Sequence, residues 1–351
     1  MVKKILYRWF VLRYMGEIKS KSSPHCGTFE RAGVLYFWIF IMQQLNTVFI
    51  VNPHAGNGST GSKWPGIKAL AQDRLGSFRT YITTGSGDAK TFTKDAVAKG
   101  ATLIVCVGGD GTLNEVVNGV MSHDDSVISD LVIGFVPNGT GCDFIRTVSI
   151  PNDIVRAVDL IAAGPFRRID LGRIVFRNHD GDECCHFFHN ITSFGLGGEV
   201  AERVNRTTKA FGPFFSFIWA TLISIFLYGK KKVRVIVDKG FEQEYNVWNI
   251  AVANGQYHGG GMWVAPDASI DDGYFHVTVI GDLTLPEVFL NLPKLYNGRV
   301  TDIDKVITFT GKKVEALSDQ RVLLDVDGEQ PGMLPMVADV VPNVLNIVTA
   351  N

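Results

Sequence analysis

The sequence predicts an α/β protein of two domains, an N-terminal doubly wound α/β domain followed by a C-terminal β-rich sandwich domain. Three observations carry this expectation. From residue 47 onward, apolar β-branched runs alternate with stretches of helical spacing, the order that builds a parallel sheet covered on both faces. After about residue 168 the pattern changes to short alternating strands parted by turn residues. The length, 351 residues, exceeds what a single hydrophobic core usually serves.

The elements follow in order. A short apolar run at 47–51 stops at Asn52-Pro53, a strand followed by a turn. A Gly-rich loop leads to a predicted helix at 65–73, then a strand at 78–83 and a helix at 88–98. The run TLIVCV at 102–107 suits a strand buried on both faces and ends at Gly108-Gly109-Asp110-Gly111. A helix resumes at 112–121, where Thr112 and Glu115 have capping-box spacing. Another buried strand at 131–136 ends at Pro137, and a helix at 151–163 stops at Gly164. This first domain is expected over 47–167. Strands at 173–176, 186–191, 233–237, 247–253, 274–280 and 306–310 then form a second domain over 168–320, with a helical insertion near 199–228. The segment 321–351 is expected to pack back on the first domain. Residues 1–46 fit no clear element and stand as an extension of unknown role.

Composition sets the outer limits. Hydrophobic residues make up 46% and charged residues 20% of the chain, ordinary for a globular protein. A formal net charge of -1 gives no overall attraction to nucleic acid. The five cysteines, Cys26, Cys106, Cys142, Cys184 and Cys185, lack metal-ligand spacing and read as thiols in a reducing, cytoplasmic setting. Residues 34–42 are apolar but too short to span a bilayer. The apolar stretch 211–228 is longer, yet Gly212 and Pro213 interrupt its start. It reads as a buried or surface-docked helix, with the cluster Lys230, Lys231, Lys232 and Arg234 close by. Peripheral contact with a membrane surface is the expectation for this edge.

Three loops carry the chemistry. Gly108-Gly109-Asp110-Gly111-Thr112 follows a buried strand and opens a helix. Glycines there let main-chain N–H groups approach a polyphosphate, and the helix adds its positive end. An acid in an anion site needs an offset, so Asp110 points to a metal or to proton abstraction. Asn52-Pro53-His54-Ala55-Gly56-Asn57-Gly58 follows the first strand, and Pro137-Asn138-Gly139-Thr140-Gly141 the fourth. All three fall at the C-terminal edge of the predicted parallel sheet, where open α/β sheets bind ligands. No Gly-Lys-Ser/Thr follows any of them, so this is not a P-loop. Read alone, Asp327-Gly328-Glu329 is a hairpin turn and Asp271-Asp272-Gly273 another turn. The histidines His54, His123, His186, His189 and His258 converge on nothing evident in the sequence.

GGDGTLNEVVNG (108–119) resembles the signature of the diacylglycerol kinase catalytic domain, which sphingosine and ceramide kinases share. Asn52–Gly56, the Pro-x-Gly-Thr-Gly loop at 137–141 and Asp143-Phe144-Ile145-Arg146 are similar to further motifs of that family. Asn254, Gly259–Gly261, Ala265-Pro266, Asp271-Asp272-Gly273 and Asp327-Gly328-Glu329 resemble the second-domain pattern of its soluble bacterial, YegS-like members. The likeness runs from 47 to the C-terminus in the family's order, with Cys142 standing where asparagine is usual.

The resemblance implies an ATP-binding first domain and a lipid-binding second one. It assigns ATP contacts to Asn52, Pro53, His54, Ala55, Gly56, Thr83, Gly109, Asp110, Gly111, Thr112, Leu113, Asn114, Glu115 and Thr140. It places the catalytic base on Asp327 or Glu329, or on Asp110 as in the sphingosine kinase branch. A structural magnesium is implied at Asp272, with carbonyl contributions from Ser269 and Tyr274. The expected activity is an ATP- and Mg2+-dependent lipid kinase, with diacylglycerol as leading acceptor and phosphatidic acid as product. Such an enzyme serves phospholipid biosynthesis and can be a homodimer. The rivals are a sphingoid-base or other lipid kinase, an NAD-kinase-like enzyme and a non-catalytic lipid-binding regulator. Retention of Asp110, Asp327 and Glu329 speaks against the last.

Overall fold

The computed structural model describes residues 46–139, 141–163, 165–206 and 221–350. Expectations for residues 1–45, for Thr140 and for most of the apolar 211–228 stretch lie outside them. The four strands β1 (Thr47–Val51), β2 (Arg79–Ile82), β3 (Leu103–Gly108) and β4 (Val132–Pro137) run parallel in the order β2-β1-β3-β4. Helices α1 (Ser59–Leu75), α2 (Asp88–Ala98), α3 (Asp110–Val120) and the single turn α4 (Asp125–Ile128) connect them; α5 (Phe144–Thr147) and α6 (Ile154–Ala163) follow β4.

Side chains of a strand alternate between faces, and this sheet uses both. Phe49, Val51, Val105 and Val107 pack with Ile67 and Ala71 of α1 and with Val158 and Ile161 of α6. Their neighbours Val48, Ile50, Ile104 and Cys106 pack on the other side with Ala96 and Val97 of α2 and Val116 and Val117 of α3. Hence the unbroken apolar runs, and hence the doubly wound arrangement. One expected boundary moves. Proline is favoured at the first position of a helix, which suggests a start at Pro65, but α1 begins at Ser59 and carries Pro65 inside it.

The rest of the described chain forms β5 (Phe166–Arg177), β6 (Glu183–Phe188), β7 (Ile191–Gly195), α7 (Leu196–Arg206), β8 (Lys231–Val237), β9 (Phe241–Val247), β10 (Asn249–Ala253), β11 (Tyr257–His258), β12 (Met262–Trp263), β13 (Phe275–Ile280), α8 (Leu285–Tyr296), β14 (Val306–Gly311), β15 (Lys313–Leu317), β16 (Leu324–Val326) and β17 (Met333–Val348). A five-stranded antiparallel sheet runs β14-β13-β10-β7-β16. It faces the antiparallel part of the first sheet. Phe194, Ile250, Val252, Val277 and Leu324 from one side meet Ile174, Val233, Val235, Val314 and Ala338 from the other, a sandwich core.

β17 joins the two halves. It pairs antiparallel with β5 and β15, then parallel with β4 through Asn346 and Ile347. The C-terminal segment therefore extends the first sheet, while β16, close before it, edges the second. Among the described residues no helix is long and apolar enough to cross a membrane.

Candidate active site

The three glycine-bearing loops meet at the C-terminal edge of the parallel strands. A Cβ added to Gly139 would lie 2.5 Å from the Cα of Gly109, and one added to Gly56 would lie 2.6 Å from the carbonyl oxygen of Asn138. Such approach admits only glycine. Cross-bonds hold the loops in place. Asn52 donates through Nδ2 to Thr112 Oγ1 at 2.9 Å. The Asn138 amide donates to the Gly108 carbonyl at 2.7 Å, and its side chain donates to Ser59 and Thr60 at the start of α1. Lys63 reaches Asn138 Oδ1 at 2.9 Å, which sets an ammonium beside the cluster. The first-turn amides of α3, over Asp110, Gly111 and Thr112, face this junction without intrahelical acceptors, as in every helix.

The expected nucleotide contacts separate by role. His54 is exposed, and its amide donates to Asn52 Oδ1. Pro53, Ala55 and Gly56 form the turn between β1 and α1. Thr83 is buried just past β2, its amide bonded to Val51. Leu113 is fully buried in the core and its amide bonds Gly109, so it only shapes the loop. Glu115 accepts from the amides of Gly87, at 2.9 Å, and Ala89, at 3.0 Å. Its carboxylate therefore caps α2, where a negative charge suits the helix N-terminus. Cys142 accepts from the Gly139 amide at 3.2 Å, the sulfur standing in for a side-chain acceptor in the third loop.

The three candidate acids differ sharply. Asp327-Gly328 is a two-residue turn with φ of +49° and +89°, closed by bonds between Val326 and Glu329. Asp-Gly suits such a hairpin because both central residues need positive φ. The turn reading and the motif reading are thus one feature. The Asp327 side chain is sealed inside. Its Oδ2 accepts from Asn114 Nδ2 at 2.8 Å and the His189 amide at 2.9 Å, and its Oδ1 from the amides of Asn190 and Ile191 at 3.1 and 3.0 Å. Burial works against its charge, but His189 and these donors hold its pKa below the ordinary value. An acceptor saturated in this way is a poor proton abstractor. Glu329 is exposed, and its Oε1 would lie 3.2 Å from a Cβ on Gly111. That puts a solvent-facing carboxylate over the first turn of α3.

Asp110 is the third. Its Oδ2 accepts from the Asp143 amide at 2.9 Å, while its Oδ1 is sealed from solvent with no hydrogen-bond partner among the described residues. Burial pushes its pKa up to about 6, with His189 pulling the other way. Asp143 differs: its Oδ2 accepts from the Gly260 amide at 2.8 Å, and its Oδ1, without a hydrogen bond among the described residues, faces the Arg146 guanidinium at 3.9 Å. A sealed carboxylate oxygen without a donor, as at Asp110 Oδ1, is exceptional in a folded protein and singles out this acid.

Two histidines correct the sequence reading, in which none converged. His189 Nδ1 lies 2.8 Å from Asp327 Oδ2. His258 Nε2 lies 3.1 Å from Asp325 Oδ2, and Asp325 Oδ1 accepts from the Gly328 amide. Burial opposes the charge on His258, but Asp325 raises its pKa to about 9. Both partners sit in the Asp325-Val326-Asp327 run, over a hundred residues from His189, so local sequence patterns gave no signal.

The implied magnesium loop is elsewhere. Asp272 accepts from the Tyr274 amide at 2.9 Å and faces His276 at 3.2 Å, while Ser269 donates to Asp271 and the Gly273 amide to the buried Asp170. The three residues share one loop, but among the described residues no three His, Cys, Asp or Glu side chains gather as metal ligands. Asp272 is the one carboxylate of the implied set; the other two ligands would be main-chain carbonyls of the same loop.

Comparisons with known proteins match both parts of the chain. The family model described as diacylglycerol kinase catalytic domain matches residues 46–174, and the YegS C-terminal NAD kinase beta sandwich-like domain matches 190–349. The diacylglycerol kinase of Staphylococcus carnosus is 31% identical over 290 residues, covering 82% of this chain and 89% of that one. The chain belongs to the diacylglycerol kinase family. Membership makes it a kinase. The Bacillus subtilis diacylglycerol kinase is 30% identical over 258 residues, 73% of this chain and 80% of its own. A crystal structure of a Bacillus anthracis diacylglycerol kinase covers 87% of this chain and 96% of its own with a TM-score of 0.64 at 19% identity, a likeness of fold.

Proposed function

We propose that this kinase transfers the γ-phosphoryl group of ATP to the hydroxyl of a membrane lipid, diacylglycerol first, giving phosphatidic acid and ADP. The observation that carries the reading is the exposed Glu329 carboxylate over Gly111, at the junction of the three loops. The amides of α3's first turn and Lys63 receive the phosphates of the magnesium nucleotide, which enters as substrate. The acceptor hydroxyl approaches from the Glu329 side. As its oxygen bonds to the γ-phosphorus, Glu329 takes the proton and the bond to the β-phosphate oxygen breaks. Asp327 does not touch the reactants; it fixes the turn that aims Glu329.

The lipid side has a surface to match. Phe226 and Leu227 are 64% and 67% exposed, and Leu290 of α8 is 78% exposed. The ring of Phe226 lies 5.7 Å from that of Phe289, centroid to centroid. No residue of α8 is fully buried. An exposed apolar patch of this kind suits contact with a lipid surface.

Labelled ATP and a panel of lipids in mixed micelles test the reading. Label in phosphatidic acid is expected. Label only in a sphingoid base or polyprenol would change the acceptor, label in NAD would change the class, and no acceptor labelled would end the proposal.

A further inference from the structure

We propose that His189 is a positioning residue for the transfer, a buried ring that braces the Asp327 turn carrying Glu329. The inference rests on the proposed kinase reading and adds a residue to it. His189 lies in the turn between β6 and β7 and is fully buried. Its main-chain amide and its ring Nδ1 both lie against Asp327 Oδ2, at 2.9 and 2.8 Å. The ring meets Phe144 edge-on with centroids 4.5 Å apart. Phe144 follows Asp143, whose amide holds Asp110. Both ring nitrogens are sealed from solvent and neither makes a well-aligned hydrogen bond among the described residues, Nδ1 meeting Asp327 as a close charge contact; Asp110 Oδ1 is sealed without a partner as well.

Packing alone does not account for these facts. An apolar side chain would fill a site beside Phe144 without burying two ring nitrogens, and an unsatisfied buried nitrogen is destabilising. A positive ring is answered on its Nδ1 side by the Asp327 carboxylate. The charged groups acting on it are Asp327, from the turn after β16, and Asp110, from the first turn of α3. Burial works to lower the His189 pKa, yet these two carboxylates raise it. The effect is reciprocal: His189 draws Asp110 toward ionisation against its burial. His189 thus sets a counter-charge beside Asp327, and its field favours the ionised form of Asp110 as well.

The test combines a variant series with a direct reading of the ring. His189→Gln keeps a donor near Asp327 without the charge, and His189→Leu removes both. In the parent, the acid limb of kcat/KM should fall near the Asp110 value, about 6. In His189→Gln that limb should move up by about one pH unit, an approximately threefold loss of kcat/KM at pH 6.5 that approaches about tenfold below pH 5, with KM for the magnesium nucleotide changed less than about threefold. A limb that stays in place would overturn the proposal. Nitrogen-15 spectra of the unsubstituted protein give an arm independent of turnover and of variant folding. Both ring nitrogens of His189 should be protonated at pH 7; a neutral ring would overturn the inference even in an active enzyme. If the parent labels no lipid, the kinase reading fails while this arm still decides the charge on His189.

Discussion

Asn114 donates through Nδ2 to Asp327 Oδ2 at 2.8 Å, a bond across 213 residues that ties the first helix turn of the phosphate loop to the turn bearing Glu329. The same asparagine reaches the Phe187 carbonyl at 3.0 Å, and Asn118, one turn on, holds the Phe187 amide. The Gly108–Thr112 loop and the turn bearing Glu329 are therefore joined through side chains of α3.

Asp327 and Glu329 should separate cleanly by experiment. Asp327→Ala leaves four buried donors and His189 without their acceptor, and breaking such a buried network costs on the order of 3–5 kcal/mol. Its melting temperature should fall and activity with it. Glu329→Gln alters an exposed side chain, so stability should stay within about 0.5 kcal/mol. Its kcat should drop about 10²–10⁴-fold, the range for loss of a general base. Thermal unfolding beside steady-state kinetics gives the comparison. A cold-stable, inactive Asp327→Ala protein would return the base to Asp327.

Asp110 predicts a conflict between stability and activity. Its pKa is raised by burial to about 6 in the folded chain, against 3.8 for the free group. The folded state thus holds the proton more tightly than the unfolded one. The stability this brings is fully present below about pH 3.8 and is lost as pH rises through about 6. Above that, the ionised carboxylate destabilises by roughly 2–3 kcal/mol relative to an uncharged isostere. Asp110→Asn keeps an acceptor for the Asp143 amide, so it should melt a few degrees higher than the parent at pH 8 and show no gain at pH 4. It should also be inactive. A lower melting temperature at pH 8 would mean that His189 and Asp143 already repay the burial.

The framework of this molecule was legible because it rests on local pattern. Continuous apolar runs such as Leu103–Gly108 become strands buried on both faces, and Gly108-Gly109-Asp110-Gly111 marks the edge where the ligand loops lie. Four features were hidden. β17 includes Pro335, Pro342 and Asn343, which read as breaks, yet the strand continues past them with shifted register. α8 contains Pro293, although Thr284 and Glu287 spell the capping box that starts it. The pairs His189–Asp327 and His258–Asp325 join residues with no sequence proximity. What distinguishes Asp327 from Glu329 is burial, and two residues of one turn look alike until the chain is folded.

Close packing of the loops gives a further test. The Cα of Gly109 leaves no room for a methyl group on Gly139. Gly139→Ala should push the second and third loops apart at a cost of about 1–3 kcal/mol. If that strain falls on the nucleotide site, affinity for the magnesium nucleotide should weaken about 5–150-fold. Calorimetric titration of nucleotide into parent and variant measures it. Unchanged affinity would show that the third loop stands apart from the phosphates, with Asn138 serving only to hold α1.

The apolar edge yields the last prediction. Phe226, Leu227, Phe289 and Leu290 lie on the second half of the chain, and none of them belongs to the three loops or the acid cluster. Burial of one such side chain in a lipid interface is worth roughly 1.5–3 kcal/mol at full depth. Replacing Leu227 and Leu290 by serine should therefore lower partitioning onto neutral liposomes by at least tenfold in sedimentation. Turnover of a short-chain acceptor presented as monomer in solution should be unaffected, because the change removes docking and leaves the chemistry intact. Added salt should alter the parent's binding little. Lys230 is paired with Asp282, Lys232 with Glu244 and Arg234 with Glu242, so the basic run beside the patch is largely neutralised. Loss of turnover on both kinds of acceptor would place these side chains in the acceptor site itself, and unchanged liposome binding would remove the patch from the account of docking.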